Sequence, residues 1–383
     1  MSSSYVSSEK SGQTERRAYL DNLRSFVIFI AVVHHVFYYW ANIEAPYTAL
    51  FVHPDYVVGK TDFALVFQYA VYPWFMALMF VIAGISAVFS LEKRGKKAFV
   101  KNRLHKLLVP STLGVLAIGW ISGAILRKNA MADVSQIPAL VVFFIDVLSG
   151  TGALWFCQIL FFFCAVLALF YPLVQKIQQK VWNWVDKAAE SPVFLLLMAF
   201  VFAGFWLCSK ILNVPVVTVY RFGIYGFCFA CGYFVFSRQK VIDVLAKFWL
   251  PLLALCIAFF FVYFAKYRNG FYAKPAVMVQ LLYNVYAFSG VLAALAIGCK
   301  FFNRQTAFNL FCKKYSFGVY VFHCSFLVIA IWFMLQHNLP LLACYCLGFV
   351  FSLGASLLFT MAVSKVPFVR FVLLGIKKGK VNE

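Results

Sequence analysis

The sequence predicts an all-α, polytopic membrane protein with ten transmembrane helices and both termini in the cytosol. Of its 383 residues, 64% are hydrophobic and only 12% are charged, whereas soluble globular proteins carry about 25% charged residues. Apolar runs recur at the length of about 20 residues that crosses a bilayer as a helix. The net charge of +21 comes from Lys and Arg clustered in alternate loops, which indicates membrane topology and no nucleic-acid partner.

Three regions follow from this pattern. Residues 1–18 are polar and Ser-rich, without the apolar core of a signal peptide, and are expected to form a disordered cytosolic tail. Residues 19–366 contain all the predicted spans. Residues 367–383 mix aromatic side chains with lysines, so this basic cytosolic tail could lie on the anionic inner leaflet. The expected location is the cell (inner) membrane, with multiple passes. The sequence does not indicate an oligomeric state.

The ten spans follow the apolar runs in order. The second, Phe63–Leu91, is long and contains Pro73, so we expect it to be tilted or kinked. The segment Ile137–Leu148 is too short to cross and is expected to be re-entrant or interfacial. With the first loop outside, the predicted cytosolic segments hold most of the Lys and Arg, as the positive-inside rule requires. The other spans are Leu23–Ala41, Leu107–Leu126, Ala153–Val174, Pro192–Cys208, Val216–Phe236, Phe248–Phe264, Ala276–Gly298, Tyr315–Leu335 and Leu339–Ser364.

The first span is unusual because it carries Asp21, Arg24, His34 and His35 along an apolar run. Ionisable groups in a membrane are costly and often functional. At 100° per residue, Asp21, Arg24 and His35 share one face, with His35 about 16 Å beyond Arg24, whereas His34 points away. A neutral imidazole at this depth suits a general base. Alternatively, the trio is structural: an interfacial Arg–Asp pair and a histidine bonded to a neighbouring helix.

The loop from Glu92 to Lys106 is strongly basic and precedes the third span. Arg103 and Lys106 are three residues apart and would share a helix face, and Lys101 belongs to the same cluster. Such a group beside the cytosolic mouth could bind phosphates. Cytosolic loops are commonly basic, however, so the same pattern is also expected from topology alone.

A polar stripe marks the ninth span, where Ser316, Tyr320 and His323 fall on one helix face. These side chains either line a cavity or form hydrogen bonds between helices. The eleven cysteines lie almost entirely within spans. Cys228 and Cys231 form a CxxC in mid-helix without a second pair, which favours packing. We therefore predict no metal site.

Four stretches together resemble the acyltransferase-3 family. YLDNLR at Tyr19–Arg24, followed by His35, is similar to the arginine–ten residues–histidine signature of that family. The other three are FVIAGISAVFSLEKRGKKAFVKNRLHKLLVP, GALWFCQILFFF and YSFGVYVFH. The second span and its loop look closest to the branch that includes periplasmic-glucan succinyltransferases. The resemblance covers most of the chain, from residue 19 to 323.

The resemblance implies a membrane O-acyltransferase of about ten spans. It would move an acetyl or succinyl group from cytosolic acyl-CoA to a hydroxyl of an extracytoplasmic glycan or related acceptor. The signature pair corresponds to Arg24 and His35, with His35 as general base. The family's basic RxxR pair corresponds to Arg103 and Lys106, where lysine keeps the charge but loses bidentate geometry.

Within this scheme, the basic residues Arg24, Arg103, Lys106 and Lys101 would attract the phosphates of coenzyme A. Candidate donors to the oxyanion are Ser316, Tyr320 and His323, and an acyl-His35 intermediate is an alternative to direct transfer. Two other functions stay open. One is a transporter or flippase for a glycan or lipid-linked anion, and the other is a non-catalytic sensor or scaffold on the same fold.

Overall fold

The structure is a computed structural model that describes residues 18–40, 55, 62–129, 133–214, 219–270 and 272–377. The predicted tail 1–18, apart from its last residue, lies outside the described residues, and so do residues 378–383 of the predicted basic tail. Within the described part, the protein is all-helical without β-strands; Asn213 and Arg221 form an isolated bridge. The predicted all-α class is therefore confirmed.

The helices follow the apolar runs closely. Three short stretches are π-helical, at Leu104–Leu108, Pro110–Gly119 and Gly232–Phe236, and Gly152–Leu154 is a 3₁₀ turn. The α-helices are α1 (Ala18–Trp40), α2 (Phe63–Arg103), α3 (Trp120–Asn129), α4 (Ala139–Ser149), α5 (Trp155–Ala189), α6 (Val193–Cys208), α7 (Phe222–Cys231), α8 (Gln239–Lys247), α9 (Trp249–Tyr267), α10 (Pro275–Met278), α11 (Leu281–Phe301), α12 (Ala307–Gln336), α13 (Leu341–Val363) and α14 (Pro367–Leu374).

Seven helical stretches within the described residues are long and apolar enough to cross a membrane. The longest, Phe63–Asn129, contains both the second and the third predicted span. It is not one continuous helix, because Gly95 has φ 71° and ψ 167°, outside the helical region. The basic loop thus contains a backbone break that glycine tolerates. Together with the match reported below, these helices indicate a multi-pass membrane protein.

The centre of the molecule is formed by α1, which packs against α2, α11, α12 and α13. The exposed side chains of α1 include Phe26 and Phe29, whereas most of its other residues are buried. A second close contact joins α2 to α7 and the π-helical turn after it. A Cβ at Gly84 would lie 2.1 Å from the carbonyl oxygen of Phe229, so glycine is required for this approach.

Candidate active site

Two histidines from different helices meet in the core between α1 and α12. The Nδ1 atom of His35 lies 3.1 Å from Nε2 of His323, and their ring centroids are 5.0 Å apart. His323 is fully buried and His35 is partly buried. An unpaired polar group in an apolar interior is costly, so each imidazole has the other as a hydrogen-bond partner.

Backbone carbonyls define which ring nitrogens carry protons. Nδ1 of His35 lies 2.7 Å from the carbonyl oxygen of Ala31, and Nδ1 of His323 lies 2.8 Å from that of Tyr320. A carbonyl oxygen only accepts, so we assign the proton of each ring to Nδ1. His35 then shares its Nδ1–H between Ala31 and Nε2 of His323, while its own Nε2 keeps a free lone pair. That lone pair has the chemistry of a general base.

His323 is held by its own neighbours. The Sγ atom of Cys324 lies 3.4 Å from His323 Nε2, and the hydroxyl of Ser352 on α13 donates to the His323 carbonyl at 2.9 Å. Gly152, with φ 52°, brings the 3₁₀ turn against Cys324: a Cβ there would lie 2.9 Å from the Cys324 Cβ. The turn before α5 thus packs directly against the residue that follows His323.

The other two members of the polar stripe on α12 contact different partners. The hydroxyl of Tyr320 donates to the carbonyl oxygen of Ala153 in the 3₁₀ turn. Ser316 lies at 3.4 Å, between hydroxyl oxygens, from Ser25 on α1. Both are therefore contacts between elements, and the Tyr320 proton is engaged. Only His323 of the stripe contacts His35.

The amino-terminal end of α1 carries an ion cluster. Arg24 lies 3.3 Å from Asp21, and Lys313 of α12 reaches the other carboxylate oxygen of Asp21 at 3.1 Å. Arg24 also donates to Ser86 of α2 at 2.9 Å. Asp21 is 6% exposed and pairs with both cations. The structure brings Asp21 and Arg24 together but places His35 further along the helix, at the histidine pair.

The basic loop has a different local geometry from the one predicted. Arg103 ends α2, and the backbone from Leu104 is π-helical, with wider turns than an α-helix. The α-helical spacing that would put Arg103 and Lys106 on one face does not apply there. Arg103 is partly buried over the ring of Phe99, at 5.1 Å, and its Nε has no hydrogen-bond partner in the described part of the chain. Lys101 and Lys106 are exposed.

His34, which helical spacing separates from His35, is also buried and not directed at lipid. Its ring lies against Tyr72 and Phe75 of α2, at centroid distances of 5.5 and 5.4 Å, and no described residue forms a hydrogen bond with its Nδ1. The first span therefore presents polar groups toward two neighbouring helices instead of one. The expectation of a single functional face is too simple here, because α1 lies at the centre of the bundle.

The residues that sequence analysis missed are Cys324, Lys313 and Ser86. Cys324 follows His323 directly, but its distance to the ring depends on the rotamers of a buried helix face. Within the described residues, the side chains of His35, His323 and Cys324 could also act as metal ligands, because their ligand atoms lie within 4.8 Å of one another. A metal bound to Nδ1 of His35 would have to displace the Nδ1 proton, and the hydrogen bond to the Ala31 carbonyl oxygen would be lost.

Comparison with known families matches residues 17–361 to the acyltransferase domain that defines the acyltransferase-3 family. No curated protein and no solved structure matches the chain. The matched region begins just before α1, ends within α13, and includes both histidines of the buried pair. With its long apolar helices and a match across nearly its whole length, the chain belongs to the acyltransferase-3 family of membrane acyltransferases.

Proposed function

We propose that the protein moves an acetyl or succinyl group from cytosolic acyl-CoA to a hydroxyl of an extracytoplasmic glycan or related acceptor. Family membership supports acyl transfer. The observation that carries the mechanism is the buried contact of 3.1 Å between His35 and His323. Two imidazoles in an apolar bundle are expensive to bury, and a proton-transfer role explains why the fold keeps them.

In this mechanism, His35 is the general base. Its Nε2 lone pair takes the proton of the acceptor hydroxyl as the hydroxyl oxygen attacks the thioester carbonyl. The carbon–sulfur bond then breaks, and the imidazolium returns the proton to the leaving thiolate of coenzyme A. His323 orients the ring of His35 and accepts its Nδ1–H, which stabilises the positive charge during transfer, in the way that a triad orients its histidine.

The donor would enter from the cytosolic side. Arg24, Lys101, Arg103 and Lys106 would attract the phosphates of coenzyme A, and the narrow pantetheine arm would extend toward His35. The unpartnered Nε of Arg103 supports this role, because a buried guanidinium nitrogen lacks a bond that a phosphate oxygen can supply. Arg24 contributes less free charge, since Asp21 lies 3.3 Å away.

The developing oxyanion needs a hydrogen-bond donor. None of the three stripe residues is placed to donate there: the Tyr320 hydroxyl donates to Ala153, Nε2 of His323 accepts from His35, and Ser316 lies beside Ser25, about 15 Å along α1 from His35. An acyl-His35 intermediate would use the same Nε2 lone pair. Rapid quenching of a single turnover, followed by peptide mass spectrometry, distinguishes that route from direct transfer.

For topology we propose ten spans, with residues 19–366 as the membrane domain and both termini in the cytosol. Dividing Phe63–Asn129 at Gly95 turns seven spans into eight, and the shorter apolar helices Val193–Cys208 and Phe222–Phe236 bring the number to ten. A location in the cell (inner) membrane follows from this topology together with a cytosolic donor.

The test uses purified full-length protein in lipid nanodiscs with acetyl-CoA or succinyl-CoA and a hydroxylated glycan, analysed by mass spectrometry. His35→Ala is expected to lose about 10²- to 10⁴-fold in turnover, the usual contribution of a general base. His337→Ala, on the exposed end of α12, is the matched control. Full activity of His35→Ala would contradict the assignment, and glycan transport without acyl-CoA would favour a transporter.

A further inference from the structure

Arg221 is a buried cation that the mechanism above does not use. It lies just before α7 and is only 5% exposed. Its Nη2 donates to the carbonyl oxygen of Met278 at 3.2 Å, and Nη1 lies 3.7 Å from the Met278 sulfur. Its sequence position at an outer span end is compatible with a guanidinium that reaches toward water, but the structure directs it into the bundle.

No carboxylate among the described residues pairs with this charge. The acidic side chains of the described spans and loops have other partners: Asp21 pairs with Arg24 and Lys313, Asp146 with Arg127, and Asp186 with Arg238. A buried cation without a counter-ion is strongly unfavourable, and proteins pair such groups or keep them for a charged ligand. The carbonyl and sulfur of Met278 supply dipoles but no negative charge.

Hydroxyl groups surround the guanidinium. The hydroxyls of Tyr225 and Tyr283 lie beside it, and that of Tyr72 is within electrostatic range. Asn284, fully buried, donates to the same Met278 carbonyl as Arg221, and its Oδ1 has no hydrogen-bond partner among the described residues. A rigid cation with tyrosine O–H donors on either side matches the planar, two-oxygen geometry of a carboxylate.

We propose that Arg221, Tyr225 and Tyr283 form a subsite for a carboxylate carried by one of the two substrates. The assignment to a substrate rests on the proposed function, but the presence of an anion site does not. The carboxylate belongs either to a dicarboxylic acyl group or to an acidic sugar of the acceptor. Its charge would replace the missing counter-ion and select substrates that carry it over neutral ones.

Aromatic side chains connect this subsite to the histidine pair. Tyr72 lies within electrostatic range of both Arg221 and Tyr38, and the ring centroid of Tyr38 is 6.4 Å from that of His35. In the proposed topology, Arg221 lies on the outer side of the bundle and the basic loop on the inner side. A carboxylate held by Arg221 would therefore lie on the side of His35 opposite the coenzyme A moiety.

Binding is tested first without any acyl-CoA. The full-length protein in uncharged phosphatidylcholine nanodiscs is melted with sodium succinate, sodium glucuronate, sodium phosphate or neutral succinamide at constant ionic strength. A ligand that binds the folded state raises the melting temperature by mass action. We expect a carboxylate to stabilise the wild type and succinamide to have no effect. Arg221→Gln should weaken carboxylate binding about 10- to 100-fold, the usual loss for a hydrogen bond to a charged group.

Arg268→Gln is the matched control, because Arg268 is an exposed arginine at the end of α9, and its carboxylate binding should equal that of the wild type. Tyr283→Phe removes a single hydroxyl and should give a smaller loss, so it tests the site even if Arg221→Gln fails to fold. The proposal is overturned if no carboxylate binds, if succinamide binds as tightly, if phosphate binds more tightly, or if both Arg221→Gln and Tyr283→Phe bind like the control.

Kinetics then identify the source of the carboxylate. One arm compares succinyl-CoA with acetyl-CoA on a neutral glucan, and the other compares a glucuronate-containing with a neutral glycan under acetyl-CoA. Arg221→Gln should lower kcat/KM about 10- to 100-fold only in the arm whose substrate carries the carboxylate. An equal loss for all substrates would assign Arg221 a structural role and overturn the proposal. If the wild type transfers no acyl group, the proposed function fails, while the melting experiment still decides the anion site.

Discussion

Replacing His323 tests whether one imidazole positions the other. His323→Leu keeps an apolar side chain of comparable size in a fully buried position, so α12 should still pack against α1. The change removes the side-chain acceptor that lies 3.1 Å from Nδ1 of His35, the only one at hydrogen-bond distance among the described residues. His323→Gln is the conservative partner, because its Oε1 can occupy the position of Nε2 and still accept a hydrogen bond.

The size of the effect follows from how His35 shares its proton. Ala31 accepts the same Nδ1–H at the shorter distance of 2.7 Å and stays in both variants. A hydrogen bond to a charged group contributes about 1.5–3 kcal/mol, and the longer of two shared bonds should lie at the lower end. About 1.5–2 kcal/mol corresponds to a roughly 10- to 30-fold decrease in kcat. KM should change little, because the bond strengthens only when the ring becomes charged.

The assay is acyl transfer by protein in nanodiscs, with coenzyme A and acylated product both quantified by mass spectrometry. His323→Gln should stay within about fivefold of the wild type, since one neutral acceptor replaces another. His337→Leu, at the exposed end of α12, is the matched control for a histidine-to-leucine change. Size-exclusion profiles and melting temperatures check that each variant is folded.

The double variant His35→Ala/His323→Leu provides the sharpest result. If His323 acts only through His35, the double variant should be no slower than His35→Ala alone, since residues acting as a unit are not additive. Three outcomes would refute the positioning role: wild-type kcat in His323→Leu, an equal loss in His323→Gln, or a multiplicative loss in the double variant. The last outcome would assign His323 its own contact with substrate.

Three further predictions concern the cytosolic side and the packing. Arg103→Gln or Lys106→Gln should raise KM for acyl-CoA several-fold at low salt and less at high salt, because salt screens phosphate attraction. Arg24→Lys should lower the affinity for acyl-CoA in equilibrium binding, since lysine keeps the positive charge but lacks the planar guanidinium that donates two parallel hydrogen bonds. Gly123→Ala should lower the melting temperature, because its Cβ would lie 1.8 Å from a carbonyl of α4, at a cost of about 1–3 kcal/mol. Gly354→Ala should leave the melting temperature unchanged, because a Cβ there would have no neighbour within 4 Å.

Controls for these predictions come from the same chain. Lys176→Gln removes an exposed charge from α5 and should leave KM unchanged at both salt concentrations. A salt-independent rise in KM for Arg103→Gln would indicate a packing role beside Phe99. If Arg24→Lys and the wild type bound acyl-CoA with equal affinity, the hydrogen bond from Arg24 to Ser86 would be unimportant for acyl-CoA binding. Equal melting temperatures for the two glycine variants would show that the contact between α3 and α4 can relax.

Much of the fold was predictable because apolar length is read directly from the sequence. The helices α1, α9, α11, α12 and α13 lie close to predicted spans. The basic loop was less predictable, because the π-helical turn after Arg103 packs against both α2 and α5, and the break at Gly95 lies in an exposed stretch without an apolar pattern to mark it. Local spacing rules assume one helical geometry, and tertiary contacts can impose another.

The candidate site was predictable as a set of residues but not as an arrangement. Helical spacing put His35 on the face of Arg24 and His323 on the polar stripe of α12, yet no periodicity indicates that these two rings meet. The same spacing separated His34 from His35, although His34 is also buried among aromatic side chains. A residue's angle on its helix is a local property, whereas its partner depends on which helix lies alongside.

The sequence by itself determined that the protein lies in a lipid bilayer, because a bilayer requires long apolar helices. It also determined the family, because the motifs lie in a recognisable order. Only the tertiary structure decided that His35 faces His323 and that Tyr320 donates to the turn before α5. It also decided that Arg221 is buried and that no carboxylate among the described residues pairs with it. The physical reason is that hydrophobicity acts along one chain segment, whereas hydrogen bonds and charge compensation require two segments to meet.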